Sequence, residues 1–110
     1  MTSSATDHVF ASLADPTRRA ILDLLREQAE MTAGDIALQF PSISRPAVSK
    51  HLRVLRTAGL VQTEERGREV RYALDSKPIG AVQRDWLDRF TPHWEASLRR
   101  LKANVESSDN

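Results

Sequence analysis

The chain has 110 residues, 40% of them hydrophobic and only 5% aromatic, with no cysteine and a formal net charge of +1. This length suffices for one small domain with an aliphatic core, and the lack of cysteine excludes a disulfide framework, a thiolate metal site and a cysteine nucleophile. No stretch approaches the roughly 18 apolar residues of a membrane span and no signal peptide is evident, so we expect a cytoplasmic protein.

Two helices open the predicted domain, which covers residues 7–105 and follows a flexible N-terminal segment, residues 1–6. The first helix covers about residues 7–14. Asp15 and Pro16 predict the start of the second helix, which ends near position 28, because aspartate is a good N-cap and proline is tolerated at the first helical position.

A third helix over about residues 33–40 and a fourth over about residues 45–58 are separated by a tight turn. The fourth has apolar residues at i, i+4 and i+7, which is the spacing of a buried stripe: Val48, Leu52 and Leu55. Gly59 is typical of a helix C-terminus. Two short helices joined in this way predict a helix-turn-helix, whose second helix enters the major groove of DNA.

A β-hairpin follows the helix-turn-helix directly. Its strands are predicted at residues 60–65 and 69–74, on either side of a basic tip at residues 66–68, and Met31 is assigned to a further short strand. The predicted fold is therefore mainly α with a small β-hairpin. It is a winged helix-turn-helix of about five helices, with a two- or three-stranded wing at residues 60–74.

The last third of the chain, residues 77–105, is predicted to be helical, with a break at Thr91-Pro92 and a disordered tail at residues 106–110. Its apolar residues exceed what a small domain buries, so we predict a partner surface at Trp86, Leu87, Phe90, Trp94, Leu98 and Leu101. A ligand pocket among Trp86, Phe90 and Trp94 is an open alternative.

Positive charge is concentrated on the fourth helix and the hairpin. Residues 1–44 carry 3 basic and 6 acidic side chains (net −3), residues 45–71 carry 7 and 3 (net +4), and residues 72–110 carry 6 of each (net 0). A local basic patch is what phosphate binding needs, because each neutralised phosphate releases a counterion. The sequence therefore predicts double-stranded DNA as the partner.

The predicted DNA-binding residues lie on the outer face of the fourth helix and on the wing. We assign base contacts to Arg45, Ser49 and Lys50, because arginine and lysine donate to guanine and serine pairs with either base or phosphate. Arg53 is assigned to phosphate, and His51 lies at the edge of the same face. The wing arginines are expected to meet phosphate or the minor groove: Arg66, Arg68 and Arg71.

Three segments of the chain resemble the ArsR-type (ArsR/SmtB-like) family of bacterial winged-helix repressors. They are the helix start at residues 14–22, Ala-Asp-Pro-Thr-Arg-Arg-Ala-Ile-Leu, the helix at residues 46–61 from Pro-Ala-Val-Ser-Lys-His-Leu to Ala-Gly-Leu-Val, and Gly-Arg-Glu-Val-Arg-Tyr at residues 67–72. The resemblance covers about residues 7–105. It implies a homodimer packed through its first and last helices, and a repressor that binds an imperfect palindrome in its own promoter region. The interface residues expected from this packing are Val9, Phe10, Leu13, Trp86, Leu87, Phe90, Trp94, Leu98 and Leu101.

Many members of that family release DNA when a metal binds, but this sequence departs from both metal-site patterns. Residues 31–35 contain no cysteine at the place of the thiolate site. In the last helices Asp85 and Asp88 are present, but Leu87 and Ala96 stand where the terminal-helix metal motif needs histidine and glutamate. We therefore expect no metal and no cofactor, and the sequence does not identify an effector.

Two other functional classes compete with a DNA-binding regulator, namely an enzyme and a winged-helix module that binds protein. The three histidines lie in separate elements without a nucleophile, and no glycine-rich phosphate loop stands out, so we expect no enzymatic activity. A winged-helix module that binds protein rather than DNA is the alternative. Such a module need not keep a basic reading face, and the net +4 of residues 45–71 argues against it.

Overall fold

The computed structural model describes residues 4–108, which form six α-helices, one 3-10 helix and three β-strands. In chain order these are α1 (Ser4–Leu13), α2 (Pro16–Glu27), β1 (Met31–Thr32), α3 (Ala33–Leu38), α4 (Arg45–Thr57), β2 (Val61–Arg66), β3 (Glu69–Leu74), α5 (Lys77–Asp85), the 3-10 helix (Leu87–Phe90) and α6 (Thr91–Ser108). The mainly α winged helix-turn-helix expected from the sequence is confirmed. No helix in residues 4–108 is long and apolar enough to cross a membrane.

The chain divides into two compact units, one ending at Ile79 and the other beginning at Gly80. In the first unit, α2, α3 and α4 bury a continuous aliphatic core together with the start of the wing. Burial of these side chains is the main force that stabilises the unit. The core residues are Ile21, Leu22, Leu25, Ile36, Val48, Leu52, Leu55, Leu60 and Val61.

The wing is a three-stranded antiparallel sheet in the order β1-β3-β2. Met31 pairs with Tyr72 and Val61 pairs with Leu74, so the central strand β3 joins the hairpin to the short strand before α3. Gly67 has a φ of 63° in the hairpin turn. Glycine adopts such a positive φ without the steric cost that a side chain adds.

Local signals in the sequence set the helix ends, as Asp15 and Pro16 predicted for α2. The Asp15 carboxylate accepts a hydrogen bond from the Arg18 backbone N–H at 2.9 Å and begins α2. The Ser44 hydroxyl accepts from the Ala47 N–H at 3.2 Å and begins α4. Each satisfies a donor that has no partner within its own helix.

The second unit contains most of α5, the 3-10 helix and α6. The predicted break at Thr91-Pro92 is confirmed, because α6 begins at Thr91 and places Pro92 in its first turn, where a missing N–H costs nothing.

Both ends of the described chain are more helical than expected. Helix α1 begins at Ser4 and α6 continues to Ser108, so helix extends into both segments predicted to be flexible or disordered. The remaining parts of those segments, residues 1–3 and 109–110, lie outside the described residues. The extent of the domain, expected over residues 7–105, stays a prediction.

Candidate nucleic-acid interface

Helix α4 has one buried face and one solvent face. Val48, Leu52 and Leu55 are each 1% exposed or less, as the i, i+4, i+7 spacing predicted. Of the five residues predicted to touch DNA on this helix, four are exposed: Arg45, Ser49, Lys50 and Arg53. The core contacts of the buried stripe therefore fix which side chains α4 presents to solvent.

His51 lies apart from this exposed set. Its side chain is 20% exposed, and its Nδ1 lies 3.9 Å from the Asp15 carboxylate and 3.5 Å from the Arg18 guanidinium. Both partners belong to the start of α2, so His51 connects α4 to the neighbouring helix. Its surroundings fit a residue that positions α4 better than one that reaches for DNA.

The Asp15 carboxylate is stabilised in its charged form. The hydrogen bond from the Arg18 backbone N–H is the largest cause and holds the pKa of Asp15 below its ordinary value, while partial desolvation opposes the shift. The nearby His51 and Arg18 side chains add a smaller attraction that lowers the same pKa. Asp15 thus serves both as a helix cap and as the acidic member of the contact with α4.

Arg18 links three helices through one side chain. Its Nε donates to the Ser12 carbonyl at 2.9 Å and its Nη2 donates to the Ala11 carbonyl at 2.8 Å, which satisfies acceptors at the end of α1. The side chain therefore extends from α2 to the end of α1 and to His51 of α4. No local pattern in the sequence indicates these partners of Arg18, because they lie in separate helices.

The three wing arginines differ in what surrounds them. Arg66 forms ion pairs with Glu30 and with Glu64, and Arg71 pairs with Glu69 at 2.9 Å. Arg68 is exposed at the hairpin turn, and within residues 4–108 no ion pair or hydrogen bond involves its side chain. Only one of the three guanidinium groups is thus free of a carboxylate partner in the described part of the chain.

The residues predicted for a dimer interface fall into two groups. Val9 is 2% exposed within the single chain, while Phe10, Leu13 and Trp86 are partly exposed. The other five are between 45% and 60% exposed: Leu87, Phe90, Trp94, Leu98 and Leu101. Val105, which was not among the predicted interface residues, is 54% exposed.

Within the second unit, Trp86 and Phe90 meet edge to face with ring centroids 4.8 Å apart. Together with Trp94 they line an open groove of about 550 Å³, whose other walls come from the same unit. This groove keeps the alternative of a ligand pocket open. Among residues 4–108 no group of three histidine, aspartate or glutamate side chains could hold a metal ion.

A helix-turn-helix domain model matches residues 13–64 of the chain. The matched range includes α2, α3, α4 and the first residues of β2. It therefore covers the helix-turn-helix pair α3 and α4, together with α2 and its N-cap Asp15.

Several bacterial regulators of known sequence are similar to the chain. The HTH-type transcriptional regulator Rv2034 of Mycobacterium tuberculosis is 43% identical over 106 residues, which is 96% of this chain and 94% of that protein. The transcriptional repressor SdpR of Bacillus subtilis is 44% identical over 70 residues, which is 64% of this chain and 76% of that protein. The arsenical resistance operon repressor of Escherichia coli is 38% identical and covers 90% of this chain and 80% of that protein.

Two solved structures of transcriptional regulators have a fold similar to that of this chain. A crystal structure of an ArsR family transcriptional regulator superposes with a TM-score of 0.74 at 32% identity and covers 86% of this chain and 95% of that one. An ArsR-like transcriptional regulator from Rhodococcus sp. RHA1 has a TM-score of 0.70 at 36% identity, covering 91% and 92%.

Proposed function

The chain belongs to the ArsR/SmtB-type family of DNA-binding transcriptional regulators, which are not enzymes, and we propose that it acts as a homodimeric repressor at an imperfect palindromic operator. The observation that carries the proposal is the exposed polar and basic face of α4, which lies opposite a fully buried stripe. Because such a repressor acts on the bacterial chromosome, the proposal includes a cytoplasmic location.

In this proposal α4 lies in the major groove with its N-terminal end toward the base edges. Arg45, Ser49 and Lys50 read bases, since residues near the start of a recognition helix come closest to them. Arg53, two turns further along, contacts the phosphate backbone. His51 contributes by holding α4 against α2 through Asp15 and Arg18.

The wing contributes mainly through Arg68. This residue needs no rearrangement before it meets a phosphate, whereas Arg66 and Arg71 must first exchange a carboxylate partner. Exposed ion pairs are worth only about 0–1 kcal/mol, so DNA phosphates can compete for those two arginines. We therefore rank Arg66 and Arg71 as secondary contacts.

A second copy of the chain is the proposed occupant of the exposed apolar residues of the second unit. One α4 reads too few base pairs to be selective, and a dimer places two such helices about one turn of DNA apart. The relatives named as repressors support the direction of control. A small effector that releases the DNA is the alternative occupant of the part of this surface that Trp86, Phe90 and Trp94 line.

The proposal is tested by titrating the full-length protein against the DNA upstream of its own gene in a gel-shift assay at several salt concentrations. We expect a shifted complex at low salt whose affinity falls steeply as salt rises, because bound phosphates release counterions. An unrelated duplex of the same length is the control. Absence of binding at low salt, or salt-insensitive binding, would favour a protein-interaction module instead.

A further inference from the structure

The Arg45 side chain rests on the first turn of α3, at a place where that helix has no side chain. A Cβ atom added to Gly34 would lie 2.7 Å from Nη2 of Arg45 and 3.9 Å from the Thr32 hydroxyl oxygen. A Cβ essentially never comes closer than 3.0 Å to another heavy atom. In this arrangement only glycine fits beneath the guanidinium group.

The backbone gives no other reason for glycine at this position. Gly34 is the second residue of α3, and the positive-φ glycines of the described chain are Gly59 and Gly67. Alanine is in general the better helix former, so helix propensity does not explain the glycine. The close approach of Arg45 is the feature that glycine permits.

We propose that Gly34 is a positioning residue for Arg45 in DNA reading, an inference that rests on the proposed function. Arg45 is the first residue of α4, at the end that enters the major groove. Contact with the bare turn of α3 limits the conformations of its guanidinium before DNA arrives. A side chain ordered in advance loses less conformational entropy on binding, and paired donation to guanine O6 and N7 requires a fixed orientation of the guanidinium plane.

The variant Gly34→Ala is expected to change the orientation of the Arg45 guanidinium without removing its positive charge. The atom that its methyl group meets is the far end of a flexible side chain, so Arg45 can swing aside while the fold is retained. The positive charge stays on α4, so attraction to phosphate remains. We expect a melting temperature equal to or above that of the wild type, an unchanged salt dependence and a weaker preference for one base.

The experiment uses the full-length protein and a randomised duplex DNA library, from which the wild type selects its preferred sequence. Single-base variants of that duplex then give the preference at each position. Arg45→Ala is expected to lose roughly 5- to 150-fold of discrimination at one position, the range for a paired contact to a base. Gly34→Ala is expected to lose about tenfold at that same position.

Gly80→Ala is a matched control. It also places a methyl group in a helix next to an arginine, with its Cβ 3.2 Å from Nη1 of Arg84, but it lies in α5. Its base preference should equal that of the wild type. In the double variant Gly34→Ala/Arg45→Ala, the glycine substitution should have no further effect, because the side chain it displaces is gone.

Two results would overturn the inference while leaving DNA binding intact. One is a Gly34→Ala protein with the wild-type base preference. The other is a loss that persists in the Arg45→Ala background or affects all sequences equally, which would show a general disturbance of α3 and α4. A wild type that selects no sequence from the library would instead overturn the proposed function and this inference with it.

Discussion

The arginines of the wing are not equally available to DNA, because carboxylates of the same protein already pair with two of them. Arg66 lies between Glu30 and Glu64, and Arg71 lies beside Glu69. Charge counting along the sequence gave these residues the same weight as Arg68. In the structure they differ, because Arg66 and Arg71 must each leave a carboxylate before binding a phosphate, whereas Arg68 need not.

The first prediction concerns this ranking. Arg68→Ala should reduce the slope of log affinity against log salt by about 0.9, because one phosphate contact is lost. Arg66→Ala, the matched control at the end of the adjoining strand β2, should change the slope less. Gel-shift titrations at four or more salt concentrations measure both slopes. Equal slopes for wild type and Arg68→Ala would remove this residue from the interface.

The second prediction concerns Asp15 and pH. Because the folded protein lowers the pKa of Asp15, the unfolded chain binds more protons in the acid range. The resulting stabilisation is complete above the ordinary pKa of 3.8 and is lost as pH falls through the lower folded value.

Asp15→Asn tests this linkage, since asparagine keeps a cap acceptor without the charge. Urea unfolding between pH 6 and pH 3 should show a smaller acid loss of stability than the wild type shows. Some loss should persist, because a hydrogen bond from the Lys77 backbone N–H also lowers the pKa of Asp75. An acid loss as large as that of the wild type would contradict the assignment.

At the scale of single elements, α4 combines two tasks on opposite faces of one helix. Its buried stripe and its caps were predictable, since the 3.6-residue period, the serine at the start and the glycine at the end are local features. The contact of His51 with Asp15 and Arg18 was not predictable. It joins residues far apart in the chain, and nothing in either segment specifies the other.

The third prediction separates these two faces of α4. Leu52→Ala should destabilise the protein by about 2–5 kcal/mol, because it removes a fully buried side chain and leaves a cavity. Ser49→Ala, one turn away on the exposed face, should change stability by no more than about 0.5 kcal/mol while weakening DNA binding. Chemical denaturation and gel shifts measure the two effects. A large stability loss in Ser49→Ala would show that this face is also packed.

At the scale of the whole molecule, the second unit exposes a row of large apolar side chains along α6. Trp94, Leu98, Leu101 and Val105 are each more than half exposed in the single chain. Contiguous apolar surface of this kind marks an interaction site on a folded protein. The proposed dimer covers it with the same helix of a second copy, whereas Val9, buried within its own chain, has little surface left to contribute.

The fourth prediction concerns this assembly. Leu98→Glu should convert a dimer into a monomer, because a charge would be buried without a partner in the interface. Sedimentation equilibrium measures the mass, and Glu95→Ala on the same helix is the control that should remain dimeric. Binding to the upstream DNA should weaken in parallel. A dimeric Leu98→Glu protein would place the interface elsewhere on the chain.

The sequence by itself determined the helix-turn-helix, the wing, the helix caps, the break at Thr91-Pro92 and the family. Each of these follows from contiguous residues, because hydrophobic periodicity, helix capping and turn formation depend on residues that lie close together in the sequence. The tertiary structure alone decided which arginines have carboxylate partners, where His51 is held and that the Arg45 side chain lies against Gly34. Those contacts depend on how separate segments pack, and packing brings together side chains that no local pattern relates.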